Sequence, residues 1–123
     1  MTGASRFAVK RIYLPPAAAD GSRVLVERLW PRGLSRARAA VDLWLKQAAP
    51  SHELRRWFHA APKARWPEFQ RHYRAELQEA PEALAELRRQ AAGRVSLLFA
   101  ARDEAHNSAV VLKAILDEGP GGG

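Results

Sequence analysis

One stretch constrains this chain more than any other. Val95-Ser-Leu-Leu-Phe-Ala-Ala101 is almost wholly apolar and runs straight into Arg102-Asp-Glu-Ala-His-Asn107. A continuous apolar run of that length suits a strand covered on both faces. Ala109, Val110, Leu112, Ile115 and Leu116 then recur as on a largely buried helix, predicted over about Glu104 to Asp117. Parallel α/β sheets are built from strands that feed helices in this way, and their ligands sit outside the carboxyl ends of the strands. The polar cluster therefore stands where a site belongs.

The rest of the chain is consistent with that frame. Phe7 to Leu14 alternates as a strand and is stopped by Pro15-Pro16. Val24 to Trp30 is a second β-rich run that Pro31-Arg-Gly33 ends. Ser35 caps a short helix to about Ala40, followed by a third strand at Val41–Leu45; a single helix over 35–47 is the rival reading. Ser51 caps a helix carrying Leu54, Trp57 and Phe58. Trp66, Phe69, Tyr73 and Leu77 share one face of another, with Pro67 in its first turn, and Pro81 opens a third that Gly93 closes. The connection from Leu14 to Arg23 is short for a parallel crossover, so it is either an unusual crossover or a sign of antiparallel pairing. The expected fold is α/β: a small three-layer domain over residues 6–117, with a mainly parallel sheet of about four strands flanked by helices. Residues 1–5 and the Gly-rich 118–123 are expected to be flexible tails.

Composition narrows the chemistry. With no cysteine among 123 residues, disulfides, thiolate metal sites and a thiol nucleophile are excluded. No apolar run reaches the ~18 residues that a membrane span requires, and the first residues lack a signal-peptide pattern. The expectation is a cytoplasmic protein with no membrane partner. Twenty Lys and Arg against thirteen Asp and Glu give a net charge of +7, which raises nucleic acid as a partner. The charges are interspersed, however, and the Arg and Ala bias also fits a GC-rich coding sequence. No P-loop, Gly-x-Gly-x-x-Gly fingerprint or Gly-x-Ser-x-Gly elbow occurs, so no cofactor is assigned. His52, His59 and His72 lack metal-ligand spacing, so no metal is assigned either.

Two constellations remain. After the buried strand, Arg102 suits a carboxylate or phosphate, His106 suits proton transfer near neutral pH, Asp103 orients a partner, and Asn107 donates hydrogen bonds. The plain alternative makes Asp103 an ordinary cap and the others decoration of a first helical turn. In Leu25-Val-Glu-Arg-Leu-Trp-Pro-Arg-Gly33, a charge within an apolar run must find solvent or a partner. Arg28 and Arg32 either join Arg102 in an anion pocket, or Arg28 pairs structurally with Glu27, Asp42 or Asp103. Trp57, Trp66, Phe69 and Tyr73 fit a core better than a base-stacking platform.

Three long motifs, Leu25-Val-Glu-Arg-Leu-Trp-Pro-Arg-Gly33, Trp44-Leu-Lys-Gln-Ala-Ala-Pro-Ser51 and Leu98-Phe-Ala-Ala-Arg-Asp-Glu-Ala-His-Asn107, resemble the DUF488 family in its YeaO-like branch. Leu54-Arg-Arg-Trp-Phe58 and the Phe69 to Leu77 stretch do the same, so the resemblance spans about residues 7–117. It implies one α/β domain in a bacterial cytoplasm and transfers no catalytic assignment. More distant relatives are expected to carry a Cys-His-Arg element after the last strand; here the region reads His106-Asn-Ser108.

The function expected from these residues is binding of a small anionic ligand, a nucleotide or phosphate ester, at the carboxyl edge of the sheet. Arg28, Arg32, Arg102 and Asn107 would bind it. His106 and Asp103 would act if hydrolysis or group transfer occurs. The alternative is a nucleic-acid-associated or regulatory module without catalysis. A third reading makes the cluster a structural ion-pair network.

Overall fold

The computed structural model describes residues 6–119. In chain order the elements are β1 (Phe7–Arg11), β2 (Ser22–Leu25), α1 (Arg36–Ala39), β3 (Leu43–Trp44), α2 (His52–Ala60), α3 (Pro62–Gln78), α4 (Pro81–Gln90), β4 (Val95–Phe99) and α5 (Ser108–Glu118). Single 3-10 turns occupy Ala18–Asp20 and Lys46–Ala48. The sheet order is β1-β4-β2-β3 and every pair is parallel, giving the expected α/β fold. The tail expected at 1–5 lies outside the described residues, as do residues 120–123 of the one expected at 118–123, whereas Glu118 ends α5.

Strand β4 is paired on both sides, with Val95 opposite both Phe7 and Ser22. All five of its residues are buried. Alternation then divides the sheet into two unequal faces. Val95, Leu97 and Phe99 join Phe7 and Val24 under α2 to α5, against Phe58, Phe69, Tyr73, Leu87 and Leu112. Leu98 and Leu25 point the other way, into a small cluster with Ile12 and Ala39, covered by Trp30, Leu34 and Trp44. Each fully buried Leu or Phe here contributes ~2 kcal/mol. The third layer is thin, consisting of α1 and the loops around it.

The structure moves several expected boundaries. β1 stops at Arg11, although the Ile12 N–H still donates to the Phe99 carbonyl. β1 and β2 are not neighbours: β4 lies between them, so the short connection spans two parallel strands and the antiparallel alternative falls. β2 ends at Leu25 instead of Trp30, because Val26 makes the last ladder bond, to Leu98, before the chain leaves the sheet. Arg28 therefore sits on a loop and on no strand face. The ambiguous 35–47 segment resolves into α1, β3 and a 3-10 turn, with Ser35 accepting from the Arg38 N–H. Ser51 caps α2 as expected, accepting from Leu54. Helix α3 begins at Pro62, which places Pro67 inside it, on an exposed face. Helix α4 is closed by Ala91, not Gly93.

On the thin face, the buried polar residues form one network. Asp20 lies 2.5 Å from Arg23 and 2.9 Å from Lys10, while Arg23 also donates to the carbonyls of Ala39 and Ala40 at the end of α1. Ser96 of β4 donates to the Asp20 carbonyl at 2.8 Å. The turn that delivers Asp20 needs Gly21. Its φ is +67°, and a Cβ there would stand 2.1 Å from the Arg94 carbonyl oxygen. Burial pushes the Asp20 carboxyl upward, but hydrogen bonds from Lys10, the Ala17 N–H and Arg23 outweigh it and hold its pKa below the usual 3.8.

A depressed carboxylate stabilises the fold above its unfolded pKa, and that contribution is lost as pH falls through the folded value. We predict that Asp20→Asn lowers stability by about 3 kcal/mol near neutral pH, because Arg23 is left buried without its counter-charge. Urea melts at descending pH should show the deficit closing below about pH 4. A deficit that persists undiminished in acid would contradict the network's ionic character.

Candidate functional site

Where β4 ends, the chain has no further strand to pair with. The Ala100 N–H donates instead to the Glu27 carboxylate at 3.0 Å. Glu27 is positioned by the exit of β2, and its own carbonyl accepts the Trp44 indole N–H at 2.6 Å. From the opposite side Arg11 donates to the carbonyls of Ala101 and Ala100. The β4 exit is thus clamped on both flanks and opens into a pocket of ≈ 330 Å³.

Helix α2 supplies Arg55, Phe58 and His59 to that pocket, and α3 supplies Pro62 and Phe69. The wall around 100–108 supplies Arg102, Asp103, His106 and Asn107. Phe58 and Phe69 stack at 4.0 Å between ring centres, making the apolar side. This is the size and lining of a small-molecule site: apolar walls with a few convergent polar groups.

Asp103 organises the segment that precedes α5. One carboxylate oxygen accepts the backbone N–H groups of Ala105 and His106, and the other lies 2.9 Å from His106 Nδ1. The Ala105 bond is the largest cause of a lowered Asp103 pKa, and the His106 bonds add to it against partial desolvation. The ionised carboxylate can only accept, so Nδ1 carries the hydrogen, which in the neutral ring leaves Nε2 as an acceptor. The His106 ring is steadied edge-on against Trp66, 5.2 Å away.

Charge in the pocket is unevenly committed. Among the described residues, the guanidinium groups of Arg55 and Arg102 make no hydrogen bond or ion pair. Burial raises the Glu27 carboxyl above its ordinary value, against lowering by the Ala100 N–H and by Arg55 nearby. Burial also lowers the His59 pKa, and the positive charge of Arg55 adds to the effect.

The expected site residues divide. Arg102, Asp103, His106 and Asn107 come together in the pocket wall. Asn107, however, is the true N-cap of α5: its side-chain oxygen accepts from Val110 and its amide nitrogen donates to the Asp103 carbonyl. It shapes the wall with both ends of its amide engaged. Arg28 donates to the carbonyls of Ala49 and Pro50, and is bonded to neither Glu27, Asp42 nor Asp103. Arg32 is exposed, and its carbonyl accepts the Tyr13 hydroxyl. Neither arginine lines the pocket with Arg102.

Sequence reasoning passes over Arg55, and weighs Glu27 only as a partner for Arg28 and His59 only as a metal ligand. A signal for each exists. Glu27 lies in the same apolar run that makes Arg28 conspicuous. The Ser51 cap fixes Arg55 and His59 at i and i+4, on one face of α2.

Comparison with known proteins places the chain among uncharacterised ones. A family profile described as "DUF488-N3i: Inactive DUF488-N3 subclade" matches residues 6–119. An uncharacterized protein of Mycobacterium tuberculosis (strain ATCC 25618 / H37Rv) is 41% identical over 119 residues, covering 95% of this chain and 98% of the relative. The uncharacterized protein YeaO of Escherichia coli (strain K12) is 38% identical over 106 residues, covering 84% and 90%. No solved structure gives a significant match.

A raised carboxyl pKa means that the folded chain favours the protonated form. The Glu27 charge therefore opposes folding above its folded pKa, and the opposition vanishes below its ordinary value of 4.5. We predict that Glu27→Gln melts at or above the temperature of the parent at about pH 7.5, and that this advantage disappears near pH 4. A Gln variant markedly less stable at neutral pH would show instead that the ionised Glu27 supports the fold, through Arg55.

Proposed function

The chain belongs to the DUF488 family, within the subclade described as inactive, and from that premise we propose that its pocket binds a small phosphate-bearing ligand without turning it over. The observation that carries this reading is the pair of uncommitted guanidinium groups, Arg55 and Arg102, on a ≈ 330 Å³ apolar-walled pocket. Guanidinium is the side chain best matched to phosphate, through paired charge-assisted hydrogen bonds. The pocket's volume suits a mononucleotide or a phosphorylated sugar.

The remaining groups supply discrimination. Glu27 engages Ala100 through one oxygen, leaving the other to accept from a ligand hydroxyl or amino group. His106, oriented by Asp103, offers Nε2 as a second acceptor. The stacked Phe58 and Phe69 give the ligand an apolar surface. A ligand with an anionic end and a hydrogen-bonding neutral end satisfies all of these.

The Asp103–His106 pair would also suit a general base, in line with the acid or base role expected of His106 from sequence. Non-catalytic binding is favoured by the description of the subclade and by the lack of any thiol nucleophile. Asp103 and His106 then serve as positioning and recognition groups.

The test is a thermal-shift series with adenosine monophosphate, ribose 5-phosphate and inorganic pyrophosphate. A compound present at about 100 times its Kd stabilises the native state by about 2.7 kcal/mol, a shift of several degrees. Arg55→Ala and Arg102→Ala should each weaken the response about tenfold or more, as expected for loss of a charged hydrogen bond. Phosphorus NMR of the best compound should show it unchanged after incubation. Silence from every phosphate compound, or a full response in both variants, would refute the binding site. Conversion of the ligand would refute its inactivity.

A further inference from the structure

We propose that a second surface, on the thin side of the sheet and separate from the pocket, binds single-stranded nucleic acid. Residues 6–46 hold nine Lys and Arg against three Asp and Glu, so most of the net charge of +7 resides there. The three carboxylates all have partners: Asp20 on Lys10 and Arg23, Glu27 on the Ala100 N–H, and Asp42 on the Arg23 N–H. Arg32, Arg36, Arg38 and Lys46 are exposed, and among the described residues none of them pairs with a carboxylate.

These cations are interleaved with aromatic rings. Trp30 and Trp44 meet edge to face at 5.4 Å. Arg36 lies 4.2 Å from the Trp30 ring and 5.3 Å from Trp44, and Lys46 lies 4.2 Å from Trp44. Tyr13 is 40% exposed and is tied through its hydroxyl to the Arg32 carbonyl. It shares a shallow depression with Leu34 and Arg38. The surface is therefore continuous from Tyr13, past Arg32 and along α1 with Arg36 and Arg38, to Lys46.

A strip of cations and rings is what an unpaired strand requires. Phosphates meet Arg and Lys, and bases stack on ring and guanidinium faces whatever their sequence. An acidic peptide would use the cations and leave the rings idle. A membrane would need apolar groups that project, and Leu29 at 55% exposure does so. The indoles do not: Trp30 donates to the Leu34 carbonyl and Trp44 to the Glu27 carbonyl, each at 2.6 Å, and both pack against the small core cluster, which ties the rings to the body. That geometry favours stacking over insertion.

The experiment is a fluorescence-anisotropy titration of the whole chain against a fluorescein-labelled oligothymidylate of about 20 nucleotides, with indole emission recorded in parallel. Four phosphate-neutralising cations predict a slope of log K against log salt of about −3. Arg36→Glu with Lys46→Glu should weaken binding at least about tenfold and bring the slope towards −1. Arg38→Glu, which has no ring contact to lose, should weaken it as well. Charge reversal at Arg56 and Arg71, exposed on α2 and α3, should leave affinity within about twofold. Arg55→Ala and Arg102→Ala should bind like the parent, so failure of the pocket reading and of this one are distinguishable. Stacking should quench indole emission. The proposal is overturned by absence of binding at low salt, by equal losses in the two reversal pairs, by preference for duplex of the same length, or by binding to phosphatidylserine vesicles but not to the oligonucleotide.

Discussion

The hydrogen bond from the Ala100 N–H to Glu27 stands at the boundary between scaffold and site. It takes the place of a ladder bond at the point where β4 outruns its neighbours. It also holds a carboxylate that is largely withdrawn from water, which is why its pKa rises. Because Glu27 is held in turn by the Trp44 indole, the exits of β2, β3 and β4 are locked to one another at their carboxyl ends. The pocket exists because that edge is held open and rigid, with α2, α3 and the 102–108 segment packed around it.

The same sheet explains why the molecule has two different surfaces. One face of β4 is covered by four helices and forms the larger core. The other has only a short helix and loops over it, so its apolar cluster is small and a buried Asp20–Arg23–Lys10 network fills one end. Aromatic rings complete that layer at the other end, and their partly open faces attract Arg36 and Lys46. A thick, helix-covered side carries the pocket, and a thin, basic side carries exposed rings.

The alternation of strands and helices was legible because burial imposes it. β4 reads as a continuous apolar run, and Ser51 announces α2 through its side-chain oxygen. The Arg102–His106 wall was legible too, as polar residues directly after a buried strand. Local chemistry misled where tertiary partners decide. Val24 to Trp30 looks like one strand, but β2 leaves the sheet after Val26, so Arg28 meets backbone carbonyls and Arg32 faces solvent. Asp103 looks like a helix cap, but the helix starts four residues later under Asn107. Arg55 and His59 were hidden because sequence shows which helix face they share, not which cleft that face meets.

On the reading proposed above, Arg55 and Arg102 are unpaired because they await an anion. The most direct test of that reading is a crystal structure of the protein soaked with adenosine monophosphate. Phosphate density is expected within about 3 Å of both guanidinium groups, as charge-assisted hydrogen bonds require, with the remainder of the ligand against Phe58 and Phe69. Phosphate bound elsewhere, with Arg55 and Arg102 still unengaged, would contradict it.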